Sequence, residues 1–256
     1  MEDTSEAFDE AFVIGDLHAD LACAEAWVRR SGLVDLDVVP RRWLGGPRQA
    51  LVFLGDYVDK GPQGRQVLEF VRGLSDAFPN NTLALLGNHD LYLLFDALHE
   101  EGAAQLMGAP VRHFAYAFTH PEEYLNWVPE SDRRTNDTQV VLPALFAALD
   151  FVYQRGAQGQ VMLEGRSNLF QIAPPFKDDA ALAKTVTTRL REWHGHMAEG
   201  LVRTGLAAWL VERPPIARVG GAVLAHGGLP LALLQGLGSE ARRGSLASAL
   251  RAATSG

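Results

Sequence analysis

Short apolar runs recur through the first hundred positions, and each one ends at a glycine beside an aspartate or asparagine. The runs are Phe12–Ile14, Leu51–Leu54 and Leu83–Leu86, and their length and character predict buried strands. An amphipathic stretch follows each. Behind the second run, Val67, Phe70, Val71 and Leu74 stand at the spacing of one helix face, and behind the third Leu91, Leu94, Phe95 and Leu98 do the same. Asp20 is placed to cap the first helix and Ser31-Gly32 to stop it. Strand–helix alternation of this kind predicts a parallel sheet, and in such sheets chemistry collects beyond the C-terminal strand ends, where the polar turns lie.

From about Gly102 to Pro215 the period changes to that of helices. Val141, Leu145, Ala148 and Val152 form one stripe, and Leu182, Val186, Leu190, Trp193, Met197 and Leu201 form another, with Pro174-Pro175 between them. This predicts a helical insertion or cap over 102–204. Ala222–Ala225 then reads as a further strand leading into His226-Gly227-Gly228, and Ser239–Gly256 as an Ala-rich helix.

Composition narrows the classes. With 256 residues, 47% of them hydrophobic, the chain is long enough for a sizeable core. The formal net charge of −8 argues against a partner such as duplex nucleic acid, which requires a basic face. The one cysteine, Cys23, excludes an internal disulfide framework and a Cys-rich zinc module. Residues 1–10 carry five acids and no base, unlike a signal or transit peptide. Val219–Ser239 lacks Asp, Glu, Lys and Arg over a length that could span a bilayer, but its glycines, Pro230, His226 and Gln235 favour a strand, a turn and a short helix. The expectation is a soluble cytoplasmic protein with no membrane partner; the sequence is silent on oligomeric state.

The turns carry the candidate chemistry. Gly15-Asp16-Leu17-His18 sets a carboxylate and an imidazole two residues apart, a pair suited to transition-metal ions. Gly55-Asp56-Tyr57-Val58-Asp59-Lys60-Gly61-Pro62 adds two carboxylates and a cation, Gly87-Asn88-His89-Asp90 an amide oxygen and a potential acid, and His226 an imidazole before two glycines. Each turn alone reads as well as a solvated surface turn. Together, in this order and each closing an apolar run, they do not.

The succession GD-x-H, GD-x-VD-K-G, GNH-D and HGG, with forty residues from Asp16 to Asp56 and thirty-two from Asp56 to Asn88, resembles the calcineurin-like metallophosphoesterases, and within them the phosphoprotein phosphatase branch. The resemblance covers Phe12 to about Asp96 and Gly205 to Leu231. It implies one domain over 1–256, a layered α/β/β/α sandwich with the 102–204 helical insertion. It also implies two divalent ions (Mn, Fe or Zn): Asp16 and His18 on the first, Asp56 bridging, Asn88 and His226 on the second. A hydroxide between the ions would attack a phosphoester of a phosphoprotein or small molecule. His89 would act as general acid oriented by Asp59, and Lys60 and Asn88 would bind the phosphate.

The chain departs from the pattern in places. Lys60 stands where arginine is usual and offers a point charge instead of a planar fork. Ala19 replaces a glycine, and Asp90 a glutamate. Lys60-Gly61-Pro62 and Gly87-Asn88-His89-Asp90 are similar to the diadenosine tetraphosphate hydrolases. Trp43–Gly46 and Gly205–Leu210 are similar to the Shewanella-like protein phosphatases. The family supplies one more metal histidine after HGG, whereas no histidine follows His226. A shortened C-terminal end is the favoured reading. The alternatives are a dinucleoside polyphosphate hydrolase and a catalytically weak binding module. His99, His113, His120, His194 and His196 are expected to be structural, as are Arg242 and Arg243.

Overall fold

A computed structural model of the chain describes residues 8–98, 121–148, 176, 178–220 and 222–227. Strands β1 (Glu10–Ile14), β4 (Gln49–Phe53) and β5 (Thr82–Ala84) form a parallel sheet in the order β1-β4-β5. Helix α1 (Leu21–Ser31) and the small antiparallel pair β2 (Val34–Asp35) and β3 (Arg42–Trp43) connect the first two, and α2 (Gly64–Ala77) connects β4 to β5. The predicted strands are therefore present, with β1 beginning two residues earlier than its apolar run. Asp20 caps α1 by accepting from the Cys23 amide at 2.9 Å, and Gly32 ends it at φ +68°, as its sequence predicts.

The central strand is apolar at successive positions because both of its faces are covered. Leu51 and Phe53 join the main core with Val67, Phe70, Val71 and Leu74 of α2. Ala50 and Val52 face the other way and pack with Phe8 and Val219. Val219 ends β6 (Ile216–Val219), which pairs antiparallel with β7 (Ala222–Ala225). Helices, parallel sheet and second β layer are thus stacked in that order, an α/β architecture. Strand β6, like β2 and β3, has no counterpart among the sequence-predicted strands. Its run is only four residues long, is interrupted by Arg218 and follows Pro214-Pro215.

After β5 come α3 (Asn88–Leu98) and α4 (Glu122–Trp127), then a 3₁₀ turn at Glu130–Asp132 and a π-helical turn at Asp137–Val141 inside a longer helical stretch. The 24-residue α5 (Ala180–Arg203) and α6 (Leu206–Val211) follow. The stripe Val186, Leu190, Trp193, Met197 and Leu201 is buried as its spacing predicts, and Leu182 is partly buried. Val141, Leu145 and Ala148 are buried too, whereas Val152 lies outside the described residues. In α3, Leu93 and Leu94 are buried and Leu91 only half so. These helices share one continuous apolar core with the sheet. Pro174-Pro175 and the Ala-rich 239–256 fall outside the described residues. Among the described residues no helix is long and apolar enough to cross a membrane, and residues 219–220 and 222–226 form strand and turn.

Candidate metal centre

Parallel register brings the turns together. Ile14 lies opposite Phe53, and Phe53 opposite Ala84, so the three strands deliver their following residues to one edge. The ladder then continues into the turns. Leu54 N donates to Ile14 O at 2.9 Å and Leu85 N to Phe53 O at 2.9 Å, while Leu17 N and His18 N both donate to Asp56 O at 3.0 and 2.9 Å. Asp16 and Asp56 stand side by side as a consequence.

Two glycines make the closeness possible. A Cβ on Gly55, which sits at φ +110°, would lie 2.2 Å from Gly87 N. A Cβ on Gly87 would lie 2.2 Å from both the amide nitrogen and Oδ1 of Asp56. The second and third turns interlock with no room for a side chain at either position. Five non-glycine residues here take positive φ: His18, Ala19, Asp56, Asp59 and Lys60. Backbone strain of this kind gathers at functional sites. Ala19 is fully buried at φ +58°, which explains why glycine suits that position.

Asp90 locks the turns. Its two carboxylate oxygens accept from the amides of Asp56 (2.8 Å), Tyr57 (2.8 Å) and Gly87 (2.9 Å). Reaching back from the first turn of α3 to Gly87 N, it completes half of a capping box. Burial pushes its carboxyl up to about 7, against three backbone N–H groups that favour the charged form. Sequence reasoning reads Asp90 as a departure from glutamate and as part of the likeness to the diadenosine tetraphosphate hydrolases, and misses this organising role. An acid three residues after a glycine at a helix start is the signal that could have found it. Tyr57 is fully buried beside it, and its hydroxyl donates to Leu85 O at 2.7 Å.

The candidate ligands converge on the Asp56 carboxylate. Oδ1 accepts from His89 N at 2.9 Å. Oδ2 lies 3.2 Å from His226 Nε2, 3.8 Å from His89 Nε2 and 3.9 Å from His18 Nε2. His18 Nε2 is 3.3 Å from Asp16 Oδ2, and His226 Nδ1 is 3.7 Å from Asp16 Oδ1. His226 Nε2 bonds Asn88 Oδ1 at 2.8 Å. His226 thus stands between Asp16 and Asn88, and these distances alone do not sort the donors into the two sets read from the sequence. Two triads have their ligand atoms within 4.8 Å of one another, His18–Asp56–His89 and Asp16–Asp56–His226, and they share Asp56. Asp16 is half exposed and opens the cluster to solvent, whereas Asp56 is buried.

These residues fit divalent metal. Carboxylate, imidazole and amide oxygen donors converge on one space, a set that suits Mn, Fe or Zn. Asp16, Asp56, Asp59 and Asp90 crowd carboxylates into the turns alongside a single lysine, Lys60, which lies 2.6 Å from His18 Nε2. Beside the donors, His89 Nδ1 bonds Asp59 Oδ2 at 2.8 Å, with both side chains buried. That bond fixes the ring and turns Nε2 toward Asp56. Every residue that the sequence singles out for metal, acid or phosphate is present at this one edge. Of the histidines set aside, His196 on α5 lies 3.7 Å from Asp132 Oδ2, and His99, His113 and His120 are outside the described residues.

A parallel sheet that delivers a shared carboxylate, flanking imidazoles and a paired histidine to one edge defines the layout of a metal-binding site at strand ends. The chain belongs to the calcineurin-like phosphoesterase family, whose profile matches residues 11–180. Among curated proteins it is similar to a symmetrical bis(5'-nucleosyl)-tetraphosphatase of Methylococcus capsulatus, 47% identical over 47 residues, 18% of this chain and 16% of the relative. A protein of the same name in Nitrosospira multiformis is 35% identical over 81 residues, 32% of this chain and 27% of the relative. A provisionally named serine/threonine-protein phosphatase of Caenorhabditis elegans is 36% identical over 78 residues, 30% of this chain and 18% of the relative. The matches thus span no more than about a quarter of these relatives' lengths, 27% at most.

Proposed function

We propose that the chain hydrolyses phosphomonoesters, phosphoproteins foremost, with Asp16, His18, Asp56, Asn88 and His226 holding two divalent ions. Such ions supply Lewis acidity and activate water at neutral pH. The chain's own residues do the rest. Lys60 and Asn88 grip the phosphate, Lys60 by charge and Asn88 by its amide. Asp59 holds the His89 ring so that Nε2 faces the reacting group and delivers a proton to the departing oxygen. The observation that carries this reading is the buried 2.8 Å bond between His89 Nδ1 and Asp59 Oδ2. An alkoxide leaving from a phosphomonoester needs a proton, and an oriented imidazole is built to give one. A phosphate leaving from an anhydride departs without help, so the pair would be idle on such a substrate.

A second reading, hydrolysis of dinucleoside polyphosphates, is favoured by the names of the two bacterial relatives and by Lys60-Gly61-Pro62 with Asp90. One assay separates the two. With manganese, a phosphopeptide and diadenosine tetraphosphate are compared on the unaltered chain and on His89→Asn. Turnover of the phosphopeptide, slowed about 10²–10⁴-fold in the variant, is the expected result. Turnover of diadenosine tetraphosphate alone, indifferent to His89→Asn, would sink the phosphomonoester reading and install the second.

A further inference from the structure

The turn that follows the metal centre is gripped from two sides. Asp59 and Lys60 both sit at φ +66°, a conformation that side-chain-bearing residues hold only when their surroundings enforce it. Upstream, the Asp59 carboxylate is fixed by His89. On one flank, a Cβ on Gly61 would lie 2.5 Å from His18 O and 2.7 Å from Ala19 O, and Gln63 N donates to Ala19 O at 3.0 Å.

The other flank is α4. Asn126 Nδ2 donates to the carbonyl of Pro62. The Asn126 carbonyl accepts from Arg65 Nη1 at 3.4 Å, and the Arg65 guanidinium lies 5.2 Å over the ring of Trp127. The Glu123 carboxylate is seated against Gly64, where a Cβ would lie 1.8 Å from Oε1. Gln63 makes no side-chain capping bond to α2, so Glu123 brings to that helix start the negative charge its macrodipole favours. Pro62 is two residues from Lys60, its ring fixes φ, and Gly61 between them is packed against the carbonyls of His18 and Ala19, so little slack separates the Pro62 carbonyl from Lys60.

We propose that α4 is a clamp on the phosphate-facing turn and that Asn126 is its positioning residue, holding Lys60 through the Pro62 carbonyl. This rests on the phosphate-binding role given to Lys60 above. Asn126 touches no reacting atom. Its bond lies at the surface, so its loss leaves the core intact and loosens only the turn.

The test uses Asn126→Ala and the near-isosteric Asn126→Asp, which keeps the bulk and removes the donor. Each is expected to raise KM for a phosphomonoester about five- to tenfold, with kcat within about twofold, as for one lost hydrogen bond that acts on binding. Lys60→Ala raises KM at least as much, and Lys60→Ala with Asn126→Ala is no worse than Lys60→Ala alone. A multiplicative loss in the double variant would overturn the route through Lys60. Hydrogen exchange gives a readout free of activity. The amides of Gly61, Gln63 and Gly64 should exchange faster in Asn126→Ala, with residues 88–94 unchanged. Unchanged exchange at the turn overturns the clamp. A chain that turns over no phosphoester removes the assigned role of Lys60 instead, and the exchange experiment still decides the clamp.

Discussion

In the turns beyond β1, β4 and β5, Asp56 and Asp59 are each 2% exposed and Asp90 is fully buried. Backbone amides answer Asp90, an amide and three imidazoles surround Asp56, and a ring nitrogen holds Asp59. In the helical part, Asp137 is just as buried at 1%, and a guanidinium answers it. Arg189 Nε donates to its Oδ1 at 2.7 Å and Nη2 to its Oδ2 at 2.6 Å, Arg134 N adds a bond at 2.8 Å, and Glu192 takes the far side of the same arginine. One cluster balances charge with charge and closes on itself. The other holds carboxylates close together with dipoles and leaves Asp56 Oδ2 and Asp16 aimed at a common space. Equal burial therefore does not mean equal purpose. The first arrangement answers its charge within the protein, and the second offers its donors to a cation.

The largest expected effect breaks the second cluster. Asp56→Asn removes the carboxylate that both candidate triads share. Metal content per chain, by elemental mass spectrometry, should fall from about two ions to one or none, and phosphoester turnover should drop at least about a hundredfold as the several kcal/mol supplied by the ions disappear. The same variant, stripped of metal, should unfold no more easily than the unaltered chain, because it relieves repulsion among crowded carboxylates. A metal-free Asp56→Asn that melts far below the unaltered chain would place this cluster in the structural class and erase the contrast.

Next in size is the self-closed cluster. Arg189→Leu leaves Asp137 buried without its guanidinium and should cost about 3–5 kcal/mol in denaturant unfolding. Replacing the pair together, Asp137→Leu with Arg189→Leu, should cost much less, since the unanswered charge goes with its partner. Turnover per folded molecule should be unchanged in both. A large loss of kcat in folded Arg189→Leu would mean that the two clusters are coupled.

The two regions were also unequally legible. Asp16, His18, Asp56, Asn88 and His89 could be read because each follows an apolar run, and parallel strands in register carry such residues to one edge whatever lies between them. His226 is legible by the same rule, but its place between Asp16 and Asn88 is set across 138 residues, and no local pattern encodes it. Asp90, Glu123 and Asn126 were opaque for a different reason. Asp90 and Asn126 bond to backbone groups (the amides of Asp56, Tyr57 and Gly87 and the carbonyl of Pro62), Glu123 packs where Gly64 lacks a side chain, and neither a backbone group nor a missing side chain leaves a mark in the residue alphabet. Arg189 and Asp137 each sit in helical patterns that explain them as surface residues, and only the approach of α5 to the Asp137–Val141 turn reveals a pair.

The smallest expected effect is in acid, and it also separates the clusters. Burial raises the Asp137 carboxyl, but the Arg189 hydrogen bonds and the Arg134 amide pull harder, so its pKa lies below the ordinary 3.8. A carboxyl depressed on folding stabilises the protein above its unfolded pKa, and that contribution fades as pH falls through the folded value. Asp90 carries the opposite sign. Its carboxyl is raised to about 7 by burial, so folding binds its proton more tightly and stability from this group falls as pH rises from 3.8 toward 7. Chemical unfolding of the metal-free chain between pH 3 and 8 should therefore show Asp137→Asn removing part of the loss seen below pH 3.8 and leaving the limb near neutrality unchanged. Asp90→Asn should alter the slope between pH 4 and 7 instead. If Asp137→Asn flattened the neutral limb, the guanidinium pair would not be the group titrating in acid, and the division between a charge closed by charge and a charge held by dipoles would fail at its simplest point.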